Sequence, residues 1–310
     1  HSWPSGKVLP CCISDSEQPV GNLIDSTIQE VVNTDEYKDI RLKMLKGEHV
    51  NSCQNCYNAE KYKNTSWRTV FNQQFNHVID DRIKNTKEDG SIDPKLLYID
   101  FRFSNFCNLE CRTCGGELSS SIASTFERPL DFKSRDQFQQ LGIINASNVI
   151  AFTNVKSTFF NDDLKQYLDD TECFYFAGGE PLIQKEHFEI LEYIHSKKWF
   201  DKELRYSSNL STLKYKNNDL LDYWKDFNNV SMYSSIDHFG DKLEYIRQNV
   251  NNKKVFENLE LLLDTHIKVG INSVVSIYNI YYLYDFFEFL DRKGYIDRLH
   301  SLDLLYAFGE

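Results

Sequence analysis

Three cysteines fall within one eight-residue stretch, Cys107, Cys111 and Cys114 in "CNLECRTC" (107–114), spaced C-x₃-C-x₂-C. Thiolates are soft ligands that suit zinc, copper(I) or iron–sulfur clusters. A closed structural zinc site takes four ligands, often as two C-x₂-C pairs. Three thiolates in one loop leave a coordination position open. On a cubane [4Fe–4S] cluster they would leave one iron free, as is required when the cluster must act on something bound to it. Zinc completed by a histidine or a carboxylate is the alternative. The other cysteines are Cys11 and Cys12, which are adjacent, Cys53 and Cys56 in "CQNC", and Cys173, which stands alone. With 310 residues the chain is too long for a disulfide-stapled mini-domain, so clustered cysteines point to metal rather than disulfides.

Strand-like and helix-like segments alternate from about residue 97, as they must if strand ends are to present such a loop. "LYIDFRFS" (97–104) leads into the cysteines, and "CFYFAGGEPLI" (173–183) runs into a glycine turn. Further strands are expected at 203–210, 230–238, 269–279 and 300–308, with helical periodicity between them. Six such units imply parallel β/α architecture, an open doubly wound sheet or a barrel, with working residues at the C-terminal strand ends. The first 95 residues differ: they hold the other cysteine groups, one helix expected over 27–46 and a polar linker or loop at 85–95. Residues 129–172 read as an insertion.

A hydrophobic share of 41% supports a substantial core, and the net charge of −11 disfavours a nucleic-acid partner. No apolar window approaches the length of a membrane span. Starting on His1 and ending on "LLYAFGE", the sequence reads as a trimmed chain in which a targeting peptide would not be seen.

"CNLECRTC" after one strand and "YFAGGEP" at the end of the next resemble the radical S-adenosylmethionine (SAM) superfamily. Thr113 departs from the aromatic residue that many members carry before the third cysteine. The resemblance implies a partial (β/α)₆ TIM-type barrel over 96–310, an α/β fold. It implies that Cys107, Cys111 and Cys114 ligate three irons, and that the fourth is chelated by SAM. One electron would then cleave SAM to methionine and a 5′-deoxyadenosyl radical that abstracts a substrate hydrogen. Gly178, Gly179 and Glu180 would contact the methionine amino group, although a plain strand-ending turn with a capping glutamate would read the same way. Ser207 and Asn209 in "SSNLS", and Ser235 and Asp237 in "SSID", fit ribose binding. Arg247 resembles the arginine near the SAM carboxylate, which it would bind bidentately. Asn279 is a further strand-end candidate.

"GKVLPCC" and "SCQNCYNAE" resemble the SPASM/twitch accessory domain, here at 1–95 and ahead of the core, with Cys11, Cys12, Cys53 and Cys56 around an auxiliary iron–sulfur cluster, expected to be [4Fe–4S]. If Cys11 and Cys12 are extended, their side chains oppose each other, and Cys12 either packs inward or ligates after a bend. A zinc knuckle is the alternative. The expected function is radical modification of a peptide or protein side chain, in the cytoplasm, with an electron donor such as flavodoxin or ferredoxin. The alternatives are a small-molecule substrate (a sugar or nucleotide derivative) and a non-catalytic iron–sulfur or zinc scaffold. Tyr206 and Arg102 lie near the proposed strand ends without an assignable role, and Cys173 reads as a buried strand cysteine.

Overall fold

A computed structural model describes residues 2, 6–14, 18–116, 118–127 and 160–306. They fall into two compact units, His1–Leu96 with Thr158–Asp170, and Leu97–Ser157 with Thr171–Glu310. Of the expected 129–172 insertion, residues 129–159 lie outside the described residues.

In the first unit, β1 (Lys7–Val8) and β2 (Gly21–Asn22) pair antiparallel, and Val8, Val20 and Val31 form a small core with Leu23, Tyr37 and Ile40 against it. The single helix expected over 27–46 is two, α1 (Ile28–Val31) and α2 (Asp35–Leu45). Thr27 and Glu30 start α1 with a reciprocal capping box. The break follows from Asn33, whose side-chain amide donates to Ile92 O and accepts from Ile92 N, both at 2.9 Å. The polar 85–95 segment is therefore a pinned loop: Arg41 donates to Gly90 O, and Lys38 pairs with Asp89 at 3.2 Å. Helices α3 (Gln54–Lys61), α4 (Trp67–Gln74) and α5 (Asn76–Lys84) follow.

The second unit is built on six parallel strands: β3 (Tyr98–Phe101), β5 (Cys173–Phe176), β6 (Glu203–Ser208), β9 (Asn229–Ser235), β11 (Lys268–Val275) and β12 (Ser301–Tyr306). They lie side by side in chain order, with β3 and β12 at the edges. A doubly wound sheet reverses its strand order partway; this one does not, so right-handed crossovers place the connecting helices on one face, as in a partial barrel. Short antiparallel pairs, β4 (Glu110–Cys111) with β10 (Arg247–Gln248) and β7 (Lys214–Tyr215) with β8 (Asn218–Asp219), decorate the strand ends. The helices are α6 (Ser120–Glu127), α7 (Lys185–Ser196), α8 (Leu220–Trp224), α9 (Gly240–Ile246), α10 (Asn252–Leu263) and α11 (Leu283–Arg292). Among the described residues no helix is long and apolar enough to cross a membrane.

Register separates the two sheet faces. Phe101, Phe176, Tyr206 and Met232 stand opposite one another across β3, β5, β6 and β9 and are buried. Helices α7 and α8 pack on this face: His187 meets Phe176 edge-on at 4.8 Å, and Trp224 Nε1 donates to the Tyr206 hydroxyl at 3.0 Å. The alternate row, Asp100, Tyr175 and Arg205, faces the other way and is half-buried. Each expected strand is present; the first five stop short of their expected C-terminal limits because the following residues turn into loops, and residues 307–308 of the sixth lie outside the described residues.

Tyr206 is fully buried and also shares a 3.2 Å hydrogen bond with His187, whose imidazole is held neutral by burial, its pKa depressed to about 3. Tyr206→Phe strands the Trp224 N–H, so a loss of about 1–3 kcal/mol is expected. It would appear as a lower urea midpoint at unchanged slope; an unshifted midpoint would contradict this packing.

Candidate functional site

The three-cysteine loop leaves the C-terminal end of β3 and closes on the start of α6. Asn105 fastens it twice: its Nδ2 donates to Gly116 O at 2.8 Å and its carbonyl accepts from Ser120 N at 2.7 Å. Ser119 Oγ donates to Leu109 O at 2.7 Å, and Leu109 is completely buried between Cys107 and Cys111. Cys107 and Cys111 are buried and Cys114 partly so. Burial pushes the Cys107 thiol up to about 11. Cys111 is held below the usual thiol range, at about 7, chiefly by a hydrogen bond with Cys114 and also by the Arg247 guanidinium; Cys114, as the proton-bearing partner, is pushed up.

The glycine turn after β5 packs directly on this loop. Gly178 and Gly179 have φ of +76° and +52°, and a Cβ on Gly179 would stand 2.4 Å from Phe106 O. Close backbone approach in a left-handed conformation requires glycine here. Glu180 N donates to the same Phe106 carbonyl at 2.8 Å. The Glu180 side chain both caps the following turn, accepting from Leu182 N at 3.1 Å, and reaches across to the end of β6. There it accepts from Ser208 Oγ at 2.8 Å and Asn209 N at 2.7 Å. Burial raises its pKa to about 7 despite these donors. Asn209 in turn sends Nδ2 towards Cys107 Sγ at 3.9 Å and to Asn108 Oδ1 at 3.0 Å. Gly178, Gly179, Glu180 and Asn209 are thus gathered around Cys107.

Asp237 and Arg247 form a second group, around Cys111. Residue 247 pairs with residue 111 in the β4–β10 ladder, and Arg112 N donates to Ile246 O at 2.8 Å. Arg247 Nη2 donates to Asp237 Oδ1 at 3.1 Å, and Nε lies 2.8 Å from Oδ2, close as an ion pair though not aligned as a directed hydrogen bond. Nη1 points at Cys111 Sγ, 3.7 Å away. Asn279 is a satisfied loop amide, donating to Asp237 O at 3.1 Å and Val274 O at 2.9 Å. Ser235 is half-buried at the end of β9, whereas Asp237, two residues on, is fully buried. Ser207 lies on the sheet face opposite the one covered by α7 and α8, beside the Tyr175 hydroxyl. Arg102 pairs with Asp100 at 3.1 Å on that face, where Arg205 pairs with Glu203 at 2.9 Å. Tyr206 belongs to the opposite, helix-packed face, and Cys173 is buried at the start of β5.

In the first unit Cys11 opens a turn that Ser14 closes, its hydroxyl donating to Cys11 O at 2.7 Å. The backbone is not extended there, so Cys12 hydrogen-bonds with Cys11 and lowers its pKa to about 6. Asn55 Nδ2 donates to Ile13 O at 2.8 Å and ties this turn to α3. Cys53 precedes α3, and Cys56 is buried in its first turn. The Cys53 thiol is pushed up by burial, then by Cys56 and Cys11, so these three thiols feel one another.

Two participants escaped the sequence reading: Ser208 on Glu180, and Asn105 as the clasp of the loop. Ser208 sat inside "SSNLS", but which of two adjacent serines turns inward depends on strand register; Asn105 lies between the expected strand at 97–104 and the cysteine stretch, in neither motif. Among the described residues no three or more His, Cys, Asp or Glu side chains are placed to share one metal ion. Thiolates that each take their own iron need not converge. Three soft thiols in one loop, two of them approached by buried N–H donors, therefore fit an iron–sulfur cluster.

Gly179→Ala should force a left-handed alanine, costing about 1–2 kcal/mol before any clash, and displace the backbone ahead of Cys107. Iron and sulfide content after reconstitution should fall by more than half; full loading would contradict the contact. Glu180 binds its proton more tightly folded than unfolded, so between pH 4.5 and about 7 it makes stability fall as pH rises. At about 1.4 kcal/mol per unit, the unfolding free energy of the cofactor-free chain relative to Glu180→Gln should carry a decline of roughly 3 kcal/mol over that window. A pH-independent difference would contradict the burial of this carboxyl.

Comparison with known proteins agrees with this geometry. Residues 101–290 match the family model described as the radical SAM superfamily, and residues 3–57 match that of an iron–sulfur cluster-binding domain, SPASM. No curated protein matches the chain. Similar solved structures include native anSMEcpe with bound AdoMet and Cp18Cys peptide, 17% identical at a TM-score of 0.43, covering 69% of this chain and 51% of that one. A histidine-tagged form of anSMEcpe with bound AdoMet is 19% identical at 0.45, covering 69% and 50%. TYW1 with a lysine-pyruvate adduct is 15% identical at 0.37, covering 69% and 65%. The chain thus spans about half the length of the anSMEcpe structures, and likenesses this distant carry no functional weight. The family model covers more than half of the sequence, and with it the three-cysteine loop and the glycine turn: the chain belongs to the radical SAM superfamily, whose cofactors are a [4Fe–4S] cluster and SAM.

Proposed function

We propose that the enzyme abstracts a hydrogen from a peptide or protein side chain, with Cys107, Cys111 and Cys114 holding the SAM-cleaving cluster. The observation that carries the reading is the three-thiol loop itself, clasped by Asn105 and backed by the Gly179 turn. When bound, the cluster supplies the single electron that splits SAM into methionine and a 5′-deoxyadenosyl radical. The chain's own residues hold and shield this chemistry. Gly178 and Gly179 let the turn approach closely, and the Glu180 carboxylate is a buried counter-charge for an ammonium group. Ser207 and Ser235, half-buried at adjacent strand ends, fit a ribose. Cys11, Cys53 and Cys56, with Cys12 folded back on Cys11, fit the auxiliary cluster.

The sheet face opposite α7 and α8 is the surface on which substrate would lie. Asp100 pairs there with Arg102 and Glu203 with Arg205, Asp303 accepts from Ser301 Oγ at 2.9 Å, and Tyr98, Tyr175 and Tyr233 stand among them. Such a face offers aromatic edges and neutralised polar groups rather than net positive charge. That suits peptide amides and side chains better than a phosphorylated nucleotide. The electron would come from a carrier such as flavodoxin or ferredoxin.

The test is 5′-deoxyadenosine formation by the anaerobically reconstituted protein with SAM and a strong reductant. Wild type should produce it, and Cys111→Ala should lose essentially all production. Equal production by both would remove Cys111 from the ligand set. Failure of the loaded wild type to bind SAM would favour an iron–sulfur scaffold instead.

A further inference from the structure

Two N–H groups of the Arg247 guanidinium are directed inside the protein, one at Asp237 and one at Cys111, while Nε lies beside Asp237 Oδ2 without an aligned hydrogen bond. Nε and Nη2 face Asp237 at 2.8 and 3.1 Å, and Nη1 faces Cys111 Sγ at 3.7 Å. Asp237 is itself locked, because Oδ1 also accepts from Val274 N at 2.8 Å. The arginine reaches the sulfur from a residue whose main chain is paired with Cys111. Arg247 is 6% exposed and Asp237 0%, so swinging the guanidinium towards an incoming carboxylate would leave Asp237 as a lone buried charge.

We propose that Arg247 is a positioning residue for Cys111, and that the Asp237–Arg247 couple, through its N–H donor to the sulfur, sets the reduction potential of the cluster. The proposal rests on reading Cys107, Cys111 and Cys114 as the ligands. An N–H donor and a buried positive charge beside a thiolate ligand both favour the more electron-rich cluster, and so raise its potential. Asp237 acts by aiming the donor. Arg112, next in the loop, supports the same clamp: its Nε donates to Tyr245 O at 2.8 Å and its guanidinium lies 4.1 Å from the Tyr245 ring centroid.

The experiment is an EPR-monitored redox titration of the cluster-loaded chain, paired with equilibrium SAM binding. The EPR signal abolished by Cys111→Ala identifies the loop cluster. Removing one member of the pair strands a buried charge, so the informative variant is Asp237→Asn/Arg247→Met, which removes both charges at similar volume. Its midpoint should fall by at least a factor of ten in the reduction equilibrium, about 59 mV for one electron, with SAM affinity unchanged. Arg247→Lys, which keeps the charge and loses the fork, should fall part of the way. An unchanged midpoint with SAM affinity reduced about tenfold or more would overturn the proposal and return Arg247 to the SAM carboxylate. A full cluster signal in Cys111→Ala would instead overturn the ligand reading, and the proposal with it.

Discussion

A charge taken out of water must be met by partners, and among the described residues the carboxyl and guanidinium groups of Glu180, Asp237 and Arg247 are almost completely buried at the strand ends. Losing one partner of a buried pair costs about 3–5 kcal/mol, so the loops carrying these groups are not free to rearrange. Glu180 holds the glycine turn to the end of β6, and Arg247 holds the stretch after α9 to the middle of the cysteine loop. The cysteines are therefore fixed from two sides by electrostatics, while Asn105 fixes the loop from within. The parallel sheet supplies the rigid frame that brings these strand ends together.

Much of this frame could be read from the residues. Six strands follow from alternating β-branched and aromatic runs, and the three-cysteine loop and glycine turn fall at their C-terminal ends. The choice between a doubly wound sheet and a partial barrel could not be made from periodicity, because it depends on lateral strand order. The helix over 27–46 broke for a reason invisible locally: Asn33 bonds with Ile92, fifty-nine residues away in sequence. Cys11 and Cys12 likewise turned on Ser14, whose hydroxyl competes for the local backbone and bends it.

The site residues divide along similar lines. Motif residues that need a special backbone, such as Gly178 and Gly179, are legible because few side chains tolerate a positive φ beside another main chain. Residues that work through burial are not. Ser208 rather than Ser207 meets Glu180 because strand register turns Ser208 inward and leaves Ser207 beside Tyr175. Asp237 lies near the expected ribose site, yet its carboxylate is committed to Arg247 and to the backbone of β11. Proximity in sequence identified the neighbourhood, and pairing of buried charge decided the contacts.

The central claim is that the loop of Cys107, Cys111 and Cys114 holds a cluster with one iron open to SAM. The most direct measurement is the EPR spectrum of the reduced protein with Cys11, Cys12, Cys53 and Cys56 replaced by alanine, recorded with and without SAM. One cluster should remain, and its g-values should shift when SAM coordinates the open iron. A spectrum indifferent to saturating SAM, or no cluster at all in a folded chain, would contradict the account.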